Sequence, residues 1–131
     1  MDVLSSRVLL HPTDHRRSVH FYREVIGLAT AREFGPADAP GTVFFLGNGL
    51  LEISAGTGQV APAGIALWLQ VRDVAAERER LAARGVPVRR EPRLEPWGLI
   101  ECWIADPDGV PIVLVEIPPD HPLRRDQRPA P

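Results

Sequence analysis

Cysteine is almost absent from the sequence: Cys102 is the only one, which excludes an intramolecular disulfide. It lies in an apolar stretch typical of a strand, and we expect a buried, unreactive thiol there. No apolar run is long enough to span a bilayer, and the N-terminus lacks the basic and apolar regions of a secretory signal. The net charge is only −2 and no basic stripe is present. These absences predict a cytoplasmic protein without membrane or nucleic-acid partners.

Several chemical motifs are missing as well. The sequence has no paired-cysteine zinc motif, no nucleophile elbow and no dinucleotide fingerprint. The glycine-rich segments 47–49 and 56–58 lack the strand–helix context and the lysine of a phosphate-binding loop, so we interpret them as turns. What is present is a chain of 131 residues that is 44% hydrophobic, which suffices for the core of one compact domain.

The first half of the chain predicts a strand, a helix and three further strands. Asp14 is the expected N-cap of a helix over residues 15–26, and Gly27 is expected to end it. The Asn48-Gly49 pair predicts a hairpin between the last two strands. The predicted strands cover residues 7–11, 28–33, 42–46 and 50–54, with loops at 35–41 and 55–62.

The second half repeats this order. A strand is expected at residues 65–71, and Asp73 is expected to cap a helix that runs to residue 84 and ends at Gly85. Strands follow at 86–91, 98–104 and 110–116, with a turn at Asp106-Pro107-Asp108-Gly109 between the last two. The repeat predicts an α+β fold of two βαβββ modules, about 5–55 and 64–117, within a single domain over residues 1–117. Residues 118–131 form a proline- and arginine-rich tail that we expect to be irregular.

Four motifs in this order resemble the vicinal oxygen chelate superfamily, which includes glyoxalase I, ring-cleaving dioxygenases and bleomycin-resistance proteins. The resemblance spans about residues 7–116 and implies a cupped mixed sheet with helices on the outside. Since this fold hosts unrelated activities, it implies the fold more strongly than any function. The motifs are Asp14-x6-Phe21-Tyr22-x4-Gly27-Leu28, Val71-Arg72-Asp73-Val74 with Ala83-Arg84-Gly85-Val86, Pro96-Trp97-Gly98, and Asp106-Pro107-Asp108-Gly109.

The resemblance also indicates what has happened to the metal site of the superfamily. Its metalloenzymes carry four ligands on four strands, and the corresponding positions here are Arg7, Glu52, Ala66 and Val113. Only Glu52 has a side chain that binds a divalent cation, and an arginine would repel one. We therefore expect no metal and no other cofactor, which places the chain nearest to the bleomycin-resistance-like members that lack metal.

The same correspondence, with the period of two along a strand, predicts the residues that face the cleft. They combine aromatic, acidic and basic groups, which suits an organic ligand with aromatic rings and polar groups. The resemblance further implies a homodimer. The predicted ligand-binding residues are Arg7, Leu9, His11, Glu52, Trp68, Gln70, Trp97, Glu101, Trp103 and Val113.

Three hypotheses for function remain open at this point. The first is a metal-independent small-molecule-binding protein, with antibiotic sequestration or resistance as its role. The second is a metal-independent isomerase, cyclase or lyase, in which Glu52 or Glu101 is the base, His11 its partner, and Arg7 stabilises an oxyanion. The third is a displaced metal site formed by His11, Glu52 and Glu101.

Each candidate residue also has a plainer explanation. Glu52 and Arg7 could form a structural ion pair, in which the arginine would keep the carboxylate ionised. The tryptophans could serve packing alone, and Trp97 could close a loop. His15 and His20 are assigned no role, and His121 lies in the tail.

Overall fold

The computed structural model describes residues 1–38, 40–54 and 64–124. The predicted loop at 55–62 and the last seven residues of the tail lie outside this range. The chain forms two compact units, one of Met1–Ile65 with Asp106–Val110 and the other of Ala66–Ala105 with Pro111–Pro131. No helix among the described residues is long and apolar enough to cross a membrane.

The first unit contains a four-stranded mixed sheet in the order β1-β4-β3-β2, with β1 parallel to β4 and the other pairs antiparallel. A helix follows β1, beginning as α1 and continuing as a π-helical segment over Phe21–Ile26. The elements are β1 (Arg7–Leu10), α1 (His15–His20), β2 (Thr30–Phe34), β3 (Gly41–Leu46) and β4 (Gly49–Ile53).

The second unit repeats this topology in the order β5-β8-β7-β6, with β5 parallel to β8. The prediction of an α+β fold with two βαβββ modules is therefore confirmed. The elements are β5 (Leu67–Gln70), α2 (Val74–Ala83), β6 (Arg90–Leu94), β7 (Ile100–Ala105) and β8 (Pro111–Glu116), followed by a 3-10 turn at Pro122–Arg124 within the predicted tail.

The predicted helix caps are confirmed. The carboxylate of Asp14 accepts the backbone N–H of Arg17 at 3.1 Å, and that of Asp73 accepts the N–H of Ala76 at 2.9 Å. Gly27 ends the first helix with a φ of 88°, a left-handed conformation that favours glycine. Local signals thus fixed where both helices begin, although the π-helical segment was not predicted.

The predicted bounds of β6 are wrong. The apolar Val86 and Val88 favoured a strand over residues 86–91, but β6 begins at Arg90. Val86 instead closes α2, because its N–H donates to the carbonyl oxygen of Leu81 at 3.1 Å and its side chain is buried. Such an apolar contact after a helix end resembles a short strand in sequence.

The core lies between each sheet and its helix. Tyr22 and Phe44 are fully buried in the first unit, and Leu81 and Ile112 in the second. Cys102 is buried as predicted, and this burial raises the pKa of its thiol, so the protonated, unreactive form is favoured.

The predicted turn at 106–109 belongs to the first unit. The buried hydroxyl of Tyr22 donates to Oδ2 of Asp106 at 2.8 Å, while Oδ1 of Asp106 accepts the N–H groups of Asp108 and Val110, each at 2.9 Å. Burial, and next the charge of Asp106, raise the pKa of Tyr22 well above its ordinary value. Asp106 thus stabilises both the turn and the contact with the helix.

Candidate functional site

An ion pair lies on one side of the first sheet. The strand register places Arg7 beside Leu50 and Leu9 beside Glu52, so these residues share a face. Nη1 of Arg7 donates to Oε2 of Glu52 at 3.0 Å, and the glutamate is largely buried. The ion pair considered from the sequence is therefore present. Leu9 and His11 are exposed on or just after β1, and their role towards a ligand stays a prediction.

Two rows of side chains cross one side of the second sheet. In the first row, Val113 of β8 pairs with Trp68 of β5 and with Trp103 of β7. In the second row, Val115 of β8 pairs with Gln70 of β5 and with Glu101 of β7. Partners in register lie on the same face, so the predicted alternation along these strands agrees with the structure. We call this surface the tryptophan face; it carries Trp68, Gln70, Glu101, Trp103, Val113 and Val115.

The tryptophan face has an apolar floor. Val113 and Val115 are buried in a cluster with Leu99 and Ile117, and Trp103 packs against that cluster. Packing accounts for the buried part of Trp103, and its contact with a ligand stays a prediction. Trp68 differs, because 49% of its surface is exposed. An indole that is half exposed has surface free for contact with a ligand.

Trp97 reaches the same face from the turn between β6 and β7. Its indole N–H donates to Oε2 of Glu101 at 2.7 Å. The carboxylate is buried, whereas the indole remains 57% exposed. Glu101 thus fixes one edge of the Trp97 ring and leaves much of the ring accessible to a ligand.

Two residues beside this face, Arg90 and Glu95, were not predicted from the sequence. Arg90 pairs with Trp103 across β6 and β7, and its guanidinium lies 6.0 Å from the centroid of that indole. Arg90 also donates to the buried carboxylate of Glu95 and lies 3.9 Å from Glu101. Arg93 contacts Glu95 at 3.1 Å.

The alternation along β6 was a signal that would have found Arg90. Arg90 lies within the strand predicted over residues 86–91, but no residue of that strand was assigned to the face. Glu95 had no comparable signal, because it lies in the turn after β6, where no periodicity applies.

With this geometry in place, the chain can be compared with known proteins. Residues 6–114 match the Glyoxalase/Bleomycin resistance protein/Dioxygenase superfamily. The chain belongs to this superfamily. Among curated proteins, none matches the sequence.

Solved structures of the superfamily's fold resemble the chain over nearly its whole length. SMU.1112c is 25% identical with a TM-score of 0.73, covering 88% of this chain and 99% of its own. TnmS3, described as an antibiotic binding protein from Streptomyces sp. CB03234, is 22% identical with a TM-score of 0.74, covering 89% and 98%. A lactoylglutathione lyase from Agrobacterium tumefaciens is 18% identical with a TM-score of 0.64, covering 88% and 94%. A binding protein and an enzyme thus share this fold.

The side chains at the four positions that the resemblance assigns to metal ligands do not suit a divalent cation. Glu52 is bound to Arg7, and Ala66 and Val113 carry no donor atom. Nor do His, Cys, Asp and Glu side chains in the described parts of the chain form a group of three or more that could hold a metal. The displaced site of His11, Glu52 and Glu101 stays a hypothesis from the sequence.

A separate cavity of about 340 Å³ lies in the first unit, on the helix side of the sheet. It is lined in part by His15 and His20, to which the sequence assigned no role, and by the buried Thr42. His15 donates from Nδ1 to the carbonyl oxygen of Ser54 at 2.9 Å, which fixes the ring against the sheet. The charged lining residues are Arg16, Arg23, Glu24, Glu33 and Asp38. The lining carries both positive and negative charges, so it does not favour a ligand of one charge.

Proposed function

We propose that this protein binds a small aromatic, polar molecule on the tryptophan face without a metal, and that its role is antibiotic sequestration. The observation that carries the proposal is the exposure of Trp68 and Trp97 next to a buried carboxylate. Exposed indoles beside an apolar floor provide flat area for stacking on a planar ring.

The polar groups of this face favour a ligand with a hydrogen-bond donor. Glu101 has Oε2 bound to Trp97, and its Oε1 lies 3.9 Å from Arg90, beyond a normal hydrogen bond. Gln70, which is exposed in the same row, adds a donor and an acceptor. A planar ring bearing an amine, amide or hydroxyl group fits this pattern.

The antibiotic-binding protein TnmS3 supports the proposal through its similar fold. The mild net charge of −2 favours recognition by stacking over capture of strongly cationic drugs. A cytoplasmic location and the lack of membrane and nucleic-acid partners stay predictions from composition.

Calorimetry against planar antibiotics, including bleomycin-type and mitomycin-type drugs, tests the proposal. We expect stoichiometric binding, recovery of the unchanged drug by mass spectrometry, and about tenfold weaker binding for each of Trp68→Ala and Trp97→Ala. Leu94→Ala is the matched control, since Leu94 is exposed but pairs with Ile100 on the opposite side of the sheet. Binding that survives both tryptophan variants would overturn the site.

The same mixtures of protein and drug also test the enzymatic hypothesis. If the drug is converted and Glu101→Gln or Glu52→Gln abolishes the conversion while chelators do not, the chain is an isomerase, cyclase or lyase. The pairing of Glu52 with Arg7 argues against Glu52 as a free base, because a base must release this contact to accept a proton.

We also propose that the protein is a homodimer. Leu9 and Phe45 are exposed on the same side of the first sheet as Arg7, which is an unusual place for apolar side chains unless another surface covers them. Light scattering should give twice the chain's mass of 14.4 kDa. Phe45→Arg should halve that mass, whereas Leu94→Arg should not. A monomeric wild-type protein would contradict the proposal.

A further inference from the structure

His121 of the C-terminal segment holds the turn that carries Trp97. Its Nε2 lies 2.9 Å from the carbonyl oxygen of Trp97, and its Nδ1 receives the N–H of Leu123 at 3.2 Å. A carbonyl oxygen only accepts and an amide N–H only donates. The imidazole must therefore be neutral, with its proton on Nε2.

Gly98 makes room for this ring. Its φ is +87°, and a Cβ atom at this position would lie 2.9 Å from Cδ2 and 3.3 Å from Nε2 of His121. Any larger residue would collide with the imidazole as well as strain the backbone. The ring is consequently seated against the turn, in contact with it through both a hydrogen bond and close packing.

The turn is held at two points. His121 binds the backbone of Trp97, while Glu101 binds its indole N–H at 2.7 Å. A further bond from the N–H of Gly98 to the carbonyl oxygen of Glu95, at 2.9 Å, closes the turn itself. If the backbone contact is lost, the carboxylate alone restrains an indole that is more than half exposed.

We propose that His121 is a positioning residue: it fixes the turn over residues 95–98 so that Trp97 lies beside Glu101 on the tryptophan face. Its effect on binding rests on the proposed function, whereas its effect on the position of Trp97 does not.

The acidic side chains of the hairpin are bound to other residues. Asp120 precedes His121 in its own segment. In the hairpin, Glu95 is bound by Arg90 and Arg93, and Glu101 is bound by Trp97. The hairpin acids therefore already have partners.

Nitrogen NMR of the imidazole in the full-length protein tests the geometry without any ligand. We expect the signals of a neutral ring with the proton on Nε2, and slow amide exchange at Leu123. A ring protonated on Nδ1 at neutral pH would overturn the proposal.

Fluorine NMR of protein labelled with 5-fluorotryptophan follows Trp97 directly, with its signal assigned from Trp97→Phe. His121→Phe keeps a ring against Gly98 but has no donor, and should shift the balance between fixed and released turn by about fivefold, as expected for one hydrogen bond. His121→Gln retains a donor near Nε2 and should restore the Trp97 signal. The Trp68 signal is the internal control and should remain constant.

Two results would refute the positioning role. One is a Trp97 signal in His121→Phe identical to that of the wild type; the other is a Trp97 signal in His121→Gln that matches His121→Phe. If the Trp97 signal responds as expected but no planar drug binds, the positioning role stands and the proposed function fails. If drugs bind, His121→Phe should weaken binding by up to about fivefold and have no additional effect in Trp97→Ala.

Discussion

Removal of one hydroxyl group, in Tyr22→Phe, should measurably destabilise the protein. The Tyr22 side chain is fully buried, and its hydroxyl donates to the carboxylate of Asp106, itself only 7% exposed, at 2.8 Å. A hydrogen bond to a charged group contributes about 1.5–3 kcal/mol, and a buried carboxylate oxygen without its donor retains its desolvation cost. We expect a loss of about 2 kcal/mol in the free energy of unfolding and a fall in Tm of about 6–10 °C.

Urea unfolding followed by circular dichroism measures this loss, and a second variant isolates its cause. Asp106→Asn keeps an oxygen for the N–H groups of Asp108 and Val110 but removes the charge that faces Tyr22. In that background Tyr22→Phe should cost only about 1 kcal/mol, because the remaining partner is neutral. The slope of unfolding free energy against urea should stay constant in all variants.

The control variant removes a buried hydroxyl for which the described residues provide no hydrogen-bond partner. Thr42 Oγ1 is buried and lacks a hydrogen bond to any described residue, so Thr42→Val should be neutral or slightly stabilising. If Tyr22→Phe costs less than about 0.5 kcal/mol, or no more than Thr42→Val, the contact with Asp106 contributes nothing beyond burial and the reasoning is wrong.

Three further outcomes follow from the contacts. Because burial raises the pKa values of Cys102 and Tyr22 above their ordinary 9.0 and 10.0, the folded chain keeps protons that the unfolded chain releases in alkali. The free energy of unfolding should therefore fall as the pH rises above about 9, and a flat profile of urea midpoints up to about pH 11 would contradict this. Arg90→Met removes one of the two arginines that contact the buried carboxylate of Glu95 and leaves Arg93 beside it. This variant should lower the free energy of unfolding by about 3 kcal/mol, whereas the double variant with Glu95→Gln should recover much of the loss. Asp73→Ala removes the N-cap of α2 and should cost about 1 kcal/mol in the same assay, with Asp73→Asn nearly neutral; equal losses in both would exclude capping as the cause.

The fold could be predicted because its signals are local. Asp14, Asp73 and Gly27 act within a few residues of their own position, and the structure places each where the sequence did. The hairpin between β3 and β4 differs from the prediction in one detail. The hairpin at 47–49 forms as predicted, but Leu46 pairs with Gly49 and the positive φ of 58° belongs to Gly47. Glycine at the first central position of a two-residue loop is the pattern of a type II′ turn, which the Asn48-Gly49 pair alone did not indicate.

The site could be predicted only as far as strand periodicity extends. Alternation is enough to put Trp68, Trp103 and Glu101 on one face, because each lies inside a strand whose bounds were nearly right. It says nothing about Glu95 or His121, which lie in a turn and in the segment after β8, 26 positions apart along the chain. Their roles depend on which polar groups the fold brings within about 3 Å of each side chain, and no spacing in the sequence encodes that distance. The contacts that fix Trp97 are therefore the part of the site for which the three-dimensional structure was indispensable.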